Sequence, residues 1–85
     1  MEVGKKYYII AHAYYHYIGE VAKVIGPKTV ELRNVVQMHS SQRNWTEFFQ
    51  KGVGSGDRYD VWPDGLVVTA ITYVPWAHEI AVRKK

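Results

Sequence analysis

Two histidines four residues apart, His12 and His16, stand inside the run "YYIIAHAYYHYIG", which holds five of the chain's seven tyrosines. On a helix this spacing would put both imidazoles on one face and let them share a metal ion. The run, however, is built of β-branched and aromatic residues, which favour a strand. On a strand, residues four apart share a face but stand about 13 Å from each other. One ion could not bridge them. Ala13 also occupies the place where a zincin motif carries its glutamate. No metal site is expected.

Other catalytic constellations are equally poor. The chain has no cysteine and no G-x-S-x-G elbow. Ser40 and Ser41 precede a helical pattern, where serine commonly caps or turns the chain. The "GVGSG" loop, Gly52 to Gly56, could cradle a phosphate with its backbone N–H groups. It follows a helix rather than a strand, and no Gly-Lys-Ser/Thr closes it, so the nucleotide-binding contexts are missing. The residues point to binding without turnover, and no cofactor is expected.

The aromatic set carries more information. Ten tyrosines and tryptophans in 85 residues exceed what so small a core can cover. Both side chains favour places that are apolar on one side and polar at the tip. Subunit interfaces and ring-stacking pockets both fit that description. Arg43 and Arg58 could supply phosphate contacts, or equally form surface salt bridges.

These side chains must be positioned by a small fold. Lys5–Ala13, Tyr17–Ile25 and Thr29–Met38 read as strands, with Gly26-Pro27 turning the second into the third. Trp45, Phe48 and Phe49 then fall at i, i+3 and i+4, one apolar helical face. Asn44 with Glu47 fits a capping box, and Gly52 suits the position after the helix. A glycine-rich loop follows. "VWPDG" offers a brief extended piece and a turn. Leu66–Val74 is a further strand, and Pro75 ends it. "WAHEIAVRKK" reads as a short edge strand with a basic tail. The expected fold is mainly β: a five-stranded bent sheet, or a partly open SH3-like or OB-like barrel, with one short helix between strands three and four. Residues 1–85 form one domain.

Formal charge is +3, but the surplus sits at the two ends. Between Tyr7 and Val82 six basic residues meet seven acidic ones, leaving the body near −1. A groove that tracks a nucleic-acid polymer would need more cations, so that partner is not expected. The start, "MEVGKK", lacks the pattern of a secretory leader, and no apolar run is long enough for a transmembrane helix.

Three short motifs resemble a large group of small proteins encoded by bacteriophages and prophages: "YHYIGEV" (Tyr15 to Val21), Arg43 just before the helix, and "WAHEI" (Trp76 to Ile80). Spacing and length agree over most of the chain. "VVQMHSSQR", Val35 to Arg43, departs by lacking the acidic and glycine residues of that group, which leaves ligand preference open. Phage proteins of this size include sponges, anti-CBASS proteins among them, that sequester cyclic nucleotide immune signals between subunits of homo-oligomers. The resemblance implies the same here: a cyclic nucleotide as partner, a homo-oligomer, and the cytoplasm of an infected bacterial host. Carried over by position, Tyr17 and Trp76 would stack on bases and Arg43 would pair with phosphate. Tyr15, His16 and His78 would hydrogen-bond base edges or phosphate oxygens. The alternative is a virion structural or decoration protein whose aromatics form an assembly interface.

Overall fold

The computed structural model describes residues 1–12, 15–40, 44–54 and 56–80. Five strands and one helix follow in the order β1 Lys6–Ala11, β2 His16–Val24, β3 Thr29–Ser40, α1 Trp45–Lys51, β4 Arg58–Trp62 and β5 Leu66–Pro75. All pairings are antiparallel. The sheet runs β2-β1-β5-β3-β4, and β2 also pairs with β3, so four strands close into a ring. The ring is incomplete as a barrel. β4 and the first half of β5 succeed each other along one edge of β3, Arg58–Trp62 opposite Ser40–Val35 and Leu66–Thr69 opposite Leu32–Thr29. β5 then leaves β3 and continues along β1. Among the described residues, its outer edge from Ile71 to Pro75 pairs with no strand.

The expected mainly-β architecture with one helix after the third strand is therefore present, and the second and third strands form the expected hairpin. Two boundaries differ. Of "WAHEIAVRKK", read as a short edge strand with a basic tail, Trp76 to Ile80 is not a strand and residues 81–85 lie outside the described residues; Arg58–Trp62, read mostly as glycine-rich loop, is one. Its neighbour β3 extends to Ser40 and supplies ladder partners that local composition does not reveal. His12 and His16 also do not share a strand. β1 ends at Ala11, and the hairpin turns between them, with Ala11 N–H donating to the Tyr15 carbonyl at 2.8 Å. Ala13 and Tyr14 lie outside the described residues.

Side chains alternate across the sheet, so it carries two cores. One cluster takes Tyr7, Ile9, Tyr17, Val21, Leu32 and Val68 from every strand of the ring. The other takes Tyr8, Ile18, Val36 and Met38 from the opposite face, covered by Phe48 of α1 and by Trp76. Leu32 and Val35 share the first cluster although they stand at i and i+3. Strict alternation forbids that. The break is at Asn34, whose φ of 53° falls in a bulge of β3 against β2, where Val36 and Arg33 pair with Ile18 and Glu20, beside the Pro63-Asp64-Gly65 turn. Asp64 Oδ1 accepts from the Asn34 N–H at 2.9 Å, and Gly65 N–H donates to the Leu32 carbonyl at 2.8 Å. Gly19 serves the same crowded interior, since a Cβ there would stand 3.2 Å from Leu32 Cδ1.

The helix has only seven residues. A helix of that length does not persist alone in water. Asn44 Oδ1 accepts from Glu47 N–H at 2.8 Å, and Gly52, at φ 81°, returns its N–H to the Phe48 carbonyl. These caps fix its ends, and burial of Phe48 fixes its place.

Candidate functional site

Between α1 and the sheet lies an open groove of about 190 Å³. β1 supplies its floor with Tyr8 and Ile10. α1 supplies Trp45 and Phe49, β5 supplies Thr72, Tyr73 and Val74, and His16 of β2 completes the lining. Even-numbered positions of β1 and β2 face this side because the pleat alternates. Tyr8 is the hub: its ring meets Phe49 at 4.9 Å, His16 at 5.5 Å, Phe48 at 5.8 Å and Trp76 at 5.9 Å. Its hydroxyl lies 2.5 Å from His16 Nδ1. The His16 ring in turn stacks on Trp45, 5.7 Å away with 24° between planes.

Burial pushes the Tyr8 phenol well above its ordinary value, so it stays protonated. Burial also lowers the His16 imidazole below 6.5, which favours the neutral ring at pH 7. None of the lining residues carries a fixed charge. The groove can therefore take a flat, largely apolar ring with a polar edge. It is smaller than the roughly 300–1,000 Å³ of pockets that enclose a drug-sized ligand. One ring system fits the scale of the groove, and a whole dinucleotide does not.

Five of the six residues singled out from sequence lie among the described residues, and the sheet divides them. His16 lines the groove. Trp76 and His78 lie on the same side but serve the packing of α1. Trp76 is 4% exposed, contacts Phe48 at 5.4 Å, and donates its indole N–H to the Glu79 carbonyl at 3.2 Å. His78 Nε2 bonds the Phe49 carbonyl at 2.7 Å, and its ring lies against Gly52, where a Cβ would come within 3.1 Å. Tyr15 and Tyr17 belong to the opposite face, their rings 6.5 Å apart. Tyr17, at 8% exposure, is part of the ring's core, and burial raises its phenol, with Tyr15 adding to the shift. Arg43 lies outside the described residues. In one chain, then, neither Tyr17 nor Trp76 presents an open ring face.

Seven of the eight groove residues were not singled out, Tyr8, Trp45 and Phe49 among them. Trp45 and Phe49 read as part of one buried helical stripe with Phe48, yet they are 47% and 38% exposed. A two-turn helix presents one narrow line to the sheet, and Phe48 takes it. Tyr8 is distinguishable from Tyr7 by its even position in β1 alone, which assigns it to the helix side once the face is known.

The opposite face carries a smaller polar grouping. Tyr17, Gln37 and Asp60 stand side by side in register across β2, β3 and β4. Trp62 donates its indole N–H to Gln37 Oε1 at 3.1 Å, and His39 Nε2 lies 2.7 Å from Asp60 Oδ2. Gln37 is buried, whereas the His39–Asp60 pair is solvated. No protein-family model, curated protein or solved structure matches the chain.

Proposed function

We propose that this chain is a non-catalytic binding protein that holds one base of a cyclic nucleotide in the groove between α1 and the sheet. The observation that carries this is the pair of half-exposed rings, Trp45 and Phe49, that line the groove together with His16, whose ring stacks on Trp45. Base–aromatic stacking contributes about 1–3 kcal/mol per base. A phosphate needs a cation that the lining does not contain; Arg43 stands two residues before Trp45 in sequence and is assigned that contact. Sequestration of an immune signal in an infected bacterial cytoplasm is the biological reading, and it rests on the sequence resemblance.

The proposal includes a homo-oligomer formed along β5. From Leu66 to Ala77 no residue is charged. Natural edge strands usually carry charges that block pairing, whereas here Ile71, Tyr73 and Val74 are exposed beside unpaired backbone. An uncharged edge suits a second copy of itself, since no like charges meet across a two-fold axis. Tyr73 and Val74 line the groove as well, so a partner at this edge would enlarge the site. Sedimentation should give a dimer or larger assembly, and Ile71→Lys should give a monomer. An unaltered assembly would exclude this edge.

The deciding experiment is a thermal-shift screen against cyclic dinucleotides, cyclic trinucleotides and cyclic ADP-ribose isomers, followed by heat release and chromatography of any bound compound. A large shift with the compound returned intact supports a sponge. A shift with altered compound identifies an enzyme. Silence across the panel favours the second reading, a virion structural protein, for which the same uncharged β5 edge would be an assembly surface; purified particles would then contain the chain.

A further inference from the structure

The contact between Tyr8 and His16 has only one arrangement of protons that leaves nothing stranded. Tyr8 is 3% exposed, and among the described residues its hydroxyl has His16 Nδ1 as its single partner. If Nδ1 carried a proton and donated, the phenolic hydrogen would be left inside the protein with no acceptor. Buried donors are rarely left so, because the lost hydration is not recovered. The phenol therefore donates and Nδ1 accepts. In a neutral imidazole the remaining proton then sits on Nε2. That nitrogen has no protein partner among the described residues, and stacking on Trp45 holds the ring flat at the groove wall.

We infer that Tyr8 locks His16 as the Nε2–H tautomer, so that the groove presents a fixed neutral donor at His16 and selects planar rings with a hydrogen-bond acceptor at their edge. Heteroaromatic nitrogen and ring carbonyl oxygen are such acceptors. Rings that offer only N–H groups are disfavoured, since donor would face donor. The Thr72 hydroxyl, opposite Ile10 on the groove side, rotates and can play either role, so it does not discriminate; the Tyr73 ring turns to the other face against Tyr7. Tyr8 is a positioning residue, and His16 makes the selecting contact. The selection rests on the groove being the ligand site; the tautomer does not.

Long-range ¹H–¹⁵N correlation on ¹⁵N-labelled full-length protein near neutral pH reads the tautomer directly. The expected pattern for His16 is a protonated Nε2 and an unprotonated Nδ1, converting to a tautomer mixture in Tyr8→Phe. A protonated Nδ1, or the same pattern in Tyr8→Phe, overturns the lock. Selection is read by titrating benzimidazole and indole, bicyclic rings of one shape of which only the first has an acceptor nitrogen. Benzimidazole should bind about two- to tenfold more tightly, the worth of one hydrogen bond, with the difference abolished in His16→Phe. Equal affinity, or no response to either probe, overturns the selection. A benzimidazole preference with silence toward every cyclic nucleotide would sustain the inference and refute the proposed ligand.

Discussion

Phe48→Ala tests whether one side chain holds the helix, and with it the groove, on the sheet. Phe48 is fully buried and is the only buried residue of α1. Its ring meets Trp45 at 5.2 Å, Trp76 at 5.4 Å, Phe49 at 5.6 Å and Tyr8 at 5.8 Å. Truncating a buried Phe to Ala removes its transfer free energy and leaves a cavity, together about 3–5 kcal/mol. A chain of 85 residues has a total stability of about 4–13 kcal/mol, at about 0.05–0.15 kcal/mol per residue. The substitution therefore removes a large fraction of it. Local loss should precede global unfolding, because a seven-residue helix without its anchor has no stability of its own. Urea denaturation followed by tryptophan fluorescence gives the first number. Amide exchange at Phe48 and Gly52 gives the second. Phe48→Leu keeps most of the volume, should cost about 1.5 kcal/mol or less, and remains measurable if the alanine variant does not fold. A Phe48→Ala loss below about 1 kcal/mol, with the helix amides still protected, would refute the reasoning and move the anchor to Trp45 and Phe49.

Trp45→Ala should cost about 1–2 kcal/mol, less than half of Phe48→Ala because the ring is half exposed, while removing ring binding in the groove; calorimetric titration and urea melts separate the two. Asn34→Ala should lower stability by about 1–2 kcal/mol, since a Cβ residue without a local polar group is strained at φ 53°, and Asn34→Gly should lose less; equal losses would locate the effect in the 3.4 Å contact of Asn34 Nδ2 with Glu20. Stability should also depend on pH at both ends. The folded His16 imidazole lies below 6.5, so the unfolded chain binds the extra proton, and its contribution is complete above that value and lost as pH falls through the folded value. The folded Tyr8 phenol lies above 10.0, so its contribution is complete below that value and lost as pH rises beyond it. Thermal melts across pH should show both slopes, and His16→Phe should flatten the acid one; an unchanged acid slope would assign it to other groups.

The sequence patterns that could be read were those carried by one element at a time. Asn44, Glu47 and Gly52 mark the helix ends through local hydrogen bonds, and Gly26-Pro27 marks a turn through its own backbone restriction, so both were legible. β4 was not, because "RYDVW" becomes a strand by pairing with the end of β3. The site residues failed for a related reason. "YHYIGEV" places Tyr15, His16 and Tyr17 together in sequence, but the pleat sends His16 to the helix side and the two tyrosines to the other. Parity could have separated them, and did not, because which parity faces the helix is set by Phe48 docking from a distant part of the chain. Asn34 adds a second obstacle: its bulge shifts the alternation within β3, so that Val35 rather than Val36 joins Leu32. A reader extending the pattern of Val30 and Leu32 past that point would place every later side chain of β3 on the wrong face. Face assignment in this fold is thus a tertiary property, decided by one aromatic anchor and one left-handed asparagine.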